Sequence, residues 1–263
     1  MMVFLFPNFR NDAMAGEGML VSLSVITYFW KGAWQAPVLM FLFGTVVLMT
    51  VLSMRATAEH QRILMELYGA QNPRAFVKDY APLLKRRLAP ANVRFTLHAY
   101  LSNGYAALGE FDKAMAILDS APALRGRRKQ AAVALLAGNR CNIELARGNL
   151  EAACKQWTLL KAALDSKGVM PKEYAALSGS LAFLLRQLKL LEGSVTQEDA
   201  EAFEKQLAGT KSPLQRTELS LLLGRTWLAL KQTDKAKPPL SQAAAANREL
   251  WAARQADKLL TAC

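Results

Sequence analysis

Cysteine, histidine, proline and glycine are all scarce in this chain, at 3, 2, 10 and 15 of 263 residues. Three cysteines, Cys141, Cys154 and Cys263, cannot all pair within one chain and show no CxxC spacing, so a disulfide scaffold is not expected and a reducing compartment is favoured. His60 and His98 stand at no metal-ligand spacing with a cysteine or with each other, which leaves no metal centre to propose. So few turn-formers exclude a sandwich or barrel of many short strands. Acidic residues are also in deficit, 21 against 33 basic ones, giving a net charge of +12. What the chain does have is apolar surface: 52% of its residues are hydrophobic, which excludes intrinsic disorder and leaves an all-α protein of long helices.

The apolar residues are unevenly spread. Residues 32 to 54 run between Lys31 and Arg55 without a charge, with Trp34 near one end and Pro37 placed for a first helical turn. A hydrocarbon core of about 30 Å needs roughly 20 helical residues, so a main span over 33–54 is predicted within a membrane region over 19–55. A soluble core helix of this length would be expected to keep a polar face, whereas Val38 to Val51 holds only Thr45 and Thr50. The shorter apolar stretch from Gly18 to Trp30 is too short to span and reads as interfacial or re-entrant. Residues 1–18 read as unstructured, and Asp12 and Glu17 together with the lack of a compact basic region argue against a cleavable signal. Arg55, Arg62 and Arg74 follow the span against Lys31 before it, which places the rest of the chain in the cytoplasm and makes the protein single-pass.

From 56 to 263 the pattern becomes a series of helices punctuated by single Gly, Pro or Asn positions. The clearest unit is VRFTLHAYLSNGYAALGEFDKAMAILDSA, where Leu97, Leu101, Tyr105 and Leu108 share a helix face and Gly109 ends the helix. Phe111, Ala114, Leu118 and Ala121 mark the next helix, with the small Ala114 permitting close approach. A second copy gives Cys141, Gly148, Leu150, Ala153 and Trp157, but has Arg140 and Glu144 where apolar residues stood. A third gives Leu223, Gly224, Trp227, Ala236, Leu240 and Ala243, with Lys231 in place of the glycine and with Pro238 and Pro239 expected to delay or kink its second helix. Residues 171 to 208 form a looser hairpin in which Gly193 stops one helix and Thr196 with Asp199 caps the other. A half repeat precedes these units, and NRELWAARQADKLL reads as a solvating C-terminal cap.

The order Leu101, Ser102, Tyr105, Gly109, Phe111, Ala114, Leu118, Ala121 resembles the tetratricopeptide repeat, a 34-residue helical hairpin. The resemblance covers roughly three quarters of the chain, and the arrangement is similar to membrane-anchored tetratricopeptide-repeat proteins of bacteria. It implies a right-handed helical-hairpin solenoid after the transmembrane helix, acting as a scaffold or adaptor that binds protein partners or a peptide in its groove. It also implies groove residues at Asn103, Asn142 and Arg225, with Asn103 and Asn139 at clamp positions of a family subset that grips a peptide carboxylate. Ala99 stands where that clamp needs a lysine.

All of the net charge belongs to the repeat region, where two clusters dominate: Lys85, Arg86 and Arg87 ending one helix, and Arg125, Arg127, Arg128 and Lys129 between the first two full repeats. Against anionic lipid each basic residue contributes about 1 kcal/mol, so a basic lipid-surface-associated structural protein is the alternative reading. Nucleic acid is not expected, because no aromatics interleave with the clusters. Neither catalysis nor a cofactor is expected. Gly209-Thr210-Lys211-Ser212 lacks the spacing and preceding strand of a phosphate loop, and no nucleophile elbow or HExxH occurs, so an enzyme would need an unrecognised helical active site.

Overall fold

A computed structural model describes residues 17–22, 35–85, 90–166 and 171–262, and every element of defined structure among them is helical. Most of the first 18 residues, most of the 19–30 stretch, Trp34, Arg86, Arg87 and Cys263 lie outside the described residues. The helices are α1 (Gln35–Tyr68), α2 (Pro73–Leu84), α3 (Ala91–Leu108), α4 (Phe111–Asp119), α5 (Lys129–Arg147) and α6 (Leu150–Asp165). They continue with α7 (Pro171–Glu192), α8 (Gln197–Gly209), α9 (Pro213–Ala229), α10 (Thr233–Ala244) and α11 (Trp251–Ala262). The chain divides into two compact units, one of residues Met1–Ile63 with Lys85–Pro90, the other of Leu64–Leu84 with Ala91–Cys263.

In the first unit, α1 does not stop where the uncharged run stops at Arg55. Its 34 residues continue to Tyr68, a length of about 50 Å at 1.5 Å per residue. It is the one helix among the described residues long and apolar enough to cross a membrane. Val38, Leu42, Phe43, Val46, Val47 and Met54 are all exposed, while Leu52, Ala56 and Ile63 are buried. The apolar all-round character thus belongs to the first half of the helix, and a narrower buried stripe begins in the second.

The second unit holds four helical hairpins, α3–α4, α5–α6, α7–α8 and α9–α10, preceded by α2 and followed by α11; three are closely packed, while α7 and α8 meet through the rings of Phe183 and Phe203. The first helix of each hairpin ends in the same way. Glu110 N–H donates to Tyr105 O at 2.9 Å, Asn149 to Glu144 at 2.9 Å, Ser194 to Lys189 at 2.9 Å and Gln232 to Trp227 at 2.9 Å. This reversal requires a left-handed residue just before the donor. Gly109, Gly148 and Gly193 supply it at φ of 78°, 80° and 77°, and Lys231 supplies it at 59°. A side chain in that region costs roughly 1–2 kcal/mol. Lys231→Gly is therefore expected to stabilise the protein by about 0.5–1 kcal/mol, after allowing for the greater freedom of glycine in the unfolded chain. A thermal melt of the full chain in detergent checks this; a lowered midpoint would mean that the lysine side chain is needed in the turn.

Within two of the hairpins the helices meet closely at residues 12 apart. Ser102 Oγ donates to Ala114 O at 3.0 Å, and Cys141 Sγ donates to Ala153 O at 3.4 Å. In the last hairpin the close approach is between Gly224 and Leu240, where a Cβ on the glycine would come within 2.5 Å of the leucine, and Ala236 is fully buried. Leu101, Ala114, Ala153 and Trp227 are buried, and Tyr105 and Phe111 pack against the first hairpin's core. Trp157 Nε1 donates to Leu181 O at 3.1 Å and so joins α6 to α7. The two residues out of pattern in the second copy have their own partners. Arg140 pairs with Asp119 at 2.7 Å, tying α5 to α4, and the buried Glu144 pairs with Arg147 at 3.5 Å. Thr196 and Asp199 form the expected reciprocal cap of α8.

One expectation is corrected. Pro238 and Pro239 do not delay the last second helix: α10 starts at Thr233 and runs through both. Burial of Ala236, Leu240 and Ala243 on one face holds it despite the missing N–H donors. The C-terminal segment buries one face and leaves Arg254, Asp257 and Lys258 exposed on the other, and its contacts reach beyond the last hairpin. Ala252, Ala253 and Ala256 of α11 are buried, the Trp251 ring meets Phe111 edge-on at 5.5 Å, and Arg254 donates to Leu108 O at 2.8 Å. The region before α2 is tied to the last hairpin as well. Gln71 Nε2 donates to Thr217 Oγ1 at 2.7 Å, Asn247 Nδ2 to Gln71 O at 2.9 Å and Ser212 Oγ to Tyr68 O at 3.1 Å. Helix α11 therefore touches the first hairpin and the segment before α2 touches the last, contacts that local sequence pattern cannot encode.

Candidate functional site

The first helices α3, α5, α7 and α9 are neighbours in that order, so their outward positions form one wall. The residues singled out from the sequence are spread along it. Asn103, half-buried on α3, donates from Nδ2 to the Tyr68 hydroxyl at 3.3 Å. Asn139 and Asn142 lie three residues apart on α5, hence on one face, and Asn142 is exposed. Arg225 is half-buried on α9, and burial holds its guanidinium below the usual range without bringing it near neutrality at physiological pH. The structure thus brings Asn139 and Asn142 together and engages Asn103 within the fold. Ala99 is buried inside α3, so the carboxylate clamp has no place to present its missing lysine.

A polar cluster near Asn103 was not visible in the sequence. The charge of Glu218 on α9 is felt at the Tyr68 phenol, and its neighbour Thr217 receives Gln71. Glu218 presents surface to solvent, yet protein crowds its carboxyl, and this desolvation pushes its pKa up to about 7. The folded state therefore holds a proton that the unfolded chain releases at its ordinary value of 4.5. Its stabilising effect is complete below that value and is lost as pH rises toward about 7. Glu218→Gln is expected to reduce the fall in melting temperature between pH 5 and pH 8. An unchanged pH profile would show the carboxyl to be solvated.

The second basic cluster sits differently from expectation. Gly126–Arg128 form a single 3-10 turn, and Lys129 is the first residue of α5, so the cations gather at a helix N-terminus rather than in an open loop. That N-terminus has no side-chain cap and no acidic residue in its first turn. Cations there oppose the helix dipole, whereas an anion would be stabilised by both. Arg125, Arg128 and Lys129 are exposed; Arg127 contributes its backbone to the turn. In the first cluster Lys85 is exposed just beyond α2.

Beside Arg128 opens a cavity of about 320 Å³ shared by α3, α5, α7 and the segment before α5. Phe95, Leu124, Leu135 and Leu177 make its apolar lining, and Asn92, Thr96 and Arg128 supply its polar groups. Only Arg128 carried a sequence signal; the lining joins Phe95 of α3 to Ala131 and Ala132 of α5, about 36 residues on.

The other chemical candidates are accounted for by structure. Cys141 and Cys154 are free thiols, and burial pushes Cys141 up to about 12, which suits its role as a donor to Ala153. His98 Nδ1 lies 2.7 Å from Arg94 O. Thr210 and Ser212 direct their hydroxyls to Gln206 O and Tyr68 O. Among the described residues no three His, Cys, Asp or Glu side chains gather as a metal site. Comparison with known protein families, with characterised proteins and with solved structures finds no match for this chain.

Proposed function

We propose that this protein is a membrane-anchored scaffold of the tetratricopeptide-repeat type, held by α1 with its repeat unit on the cytoplasmic face, where the wall of first helices binds protein partners. The observation that carries the reading is the recurrence, in one chain, of four helix pairs closed by the same turn, two of them in close contact at residues 12 apart, joined in sequence to a helix able to cross a membrane. Stacked hairpins of this kind present one continuous face, which suits the binding of an extended segment. Arg55, Arg62 and Arg74 after the span favour the cytoplasmic orientation. Affinity purification of the tagged full chain after crosslinking in native membranes tests the proposal. A discrete protein partner is expected, with recovery reduced about ten-fold by the double substitution Asn139→Ala, Asn142→Ala. Capture of no protein would oppose it. A second reading, association with anionic lipid through Arg125, Arg128 and Lys129, is favoured by the exposure of all three and would appear as lipid crosslinks instead.

A further inference from the structure

The cavity beside Arg128 has the composition of a site for one large apolar side chain with acidic neighbours. Its volume of about 320 Å³ is at the small end of the roughly 300–1,000 Å³ typical of ligand pockets. That suits a single ring or branched chain better than the acyl chains of a whole lipid. Three first helices contribute to the walls, so the cavity lies on the face assigned to partner binding.

The surrounding charge is one-sided. From Ser120 to Ile143 the sequence contains no Asp or Glu, but does contain Arg125, Arg127, Arg128, Lys129 and Arg140. The flanking acids are already engaged, Asp119 by Arg140 and Glu144 by Arg147. Exposed Arg125, Arg128 and Lys129 are thus left to face an incoming ligand, beside the uncapped start of α5. An apolar anchor in a pocket with a complementary charged rim is the usual form of a protein-binding hot spot, the anchor supplying affinity and the rim supplying rate and specificity.

We propose that this cavity receives a bulky apolar side chain from an acidic, extended segment of the protein partner, with Arg125, Arg128 and Lys129 pairing with the flanking carboxylates. The inference rests on the scaffold reading and specifies the chemistry of its partner. Asn92 and Thr96 at the cavity add polar groups for the peptide backbone; the Thr96 hydroxyl currently donates to Asn92 O at 3.0 Å.

The test uses the full chain in phosphatidylcholine nanodiscs and a fluorescein-labelled nine-residue peptide of Glu and Ser with one central Phe. Saturable binding is expected, weakened at least about ten-fold when the Phe is replaced by Ser, when the acids are replaced by Lys, or in the protein variants Arg128→Glu and Ala131→Phe, the latter filling the cavity. Arg128 is exposed, so its variant keeps the test decisive if Ala131→Phe disturbs folding. Binding that ignores the central Phe or survives Arg128→Glu overturns the proposal. So does displacement by dihexanoylphosphatidylglycerol with no preference among peptides, which would assign the cavity to lipid. If native partner capture persists undiminished in Arg128→Glu, this site fails while the scaffold reading stands; if the wild-type chain captures no protein, both fail.

Discussion

Phe76→Ala is expected to cost about 3–5 kcal/mol of stability, the range for removing a fully enclosed aromatic ring. Phe76 has no exposed surface, stacks on Tyr80 with ring centroids 4.7 Å apart, and lies where a Cβ on Gly104 would come within 2.6 Å of its ring. Gly104 brings α3 this close to α2, so neither neighbour can collapse into the space left by the ring. With about 2–4 °C per kcal/mol for a unit of this size, the melting temperature should fall by roughly 10 °C. Phe111→Ala, at a half-buried ring, should fall less. A loss from Phe76→Ala no larger than that from Phe111→Ala would mean that α2 is not an integral part of the repeat unit.

The second large effect concerns the proposed anchor. Val47 is exposed in the middle of the uncharged stretch of α1. Arginine at the centre of a spanning helix costs about 2.5–3.5 kcal/mol on insertion scales, and valine is slightly favourable there. Val47→Arg should therefore lower the inserted fraction by roughly 100-fold in equilibrium terms, seen as a shift from carbonate-resistant membrane pellets to the soluble or degraded fraction. Phe43→Leu, which keeps the surface apolar, should leave insertion unchanged. If Val47→Arg stays membrane-bound to the same extent, α1 does not act as a transmembrane anchor.

The parts of the fold that were legible in the sequence are those set by short-range chemistry. Gly109, Gly148 and Gly193 mark turns because only the backbone conformation of the next few residues decides their place, and the Thr196–Asp199 cap is likewise a three-residue relation. The alanines and small residues 12 apart could be read because both partners belong to one hairpin. Lys231 shows the limit of this signal: its turn closes as the glycine turns do, the geometry being imposed by packing of α9 on α10 rather than by local preference. Contacts across the unit were not legible. The meeting of Trp251 with Phe111, of Gln71 with Thr217, and of Phe95 with α5 and α7 around the cavity joins residues separated by 30 to 150 positions. No periodicity records such pairs. The asparagines of the candidate wall were visible as polar residues on a helix, but only the structure distinguishes Asn103, bound to Tyr68, from the exposed Asn142.

The claim that the first helices form a protein-binding wall is tested most directly by site-specific photocrosslinking in native membranes. A benzophenone amino acid would be placed at Asn142 or Ala131 on α5, and at exposed Leu159 on the second helix α6 as the control. A discrete protein adduct of fixed mass from the two α5 positions, and none from Leu159, is the predicted result. Adducts only to lipid, or protein adducts equally strong from Leu159, would contradict it.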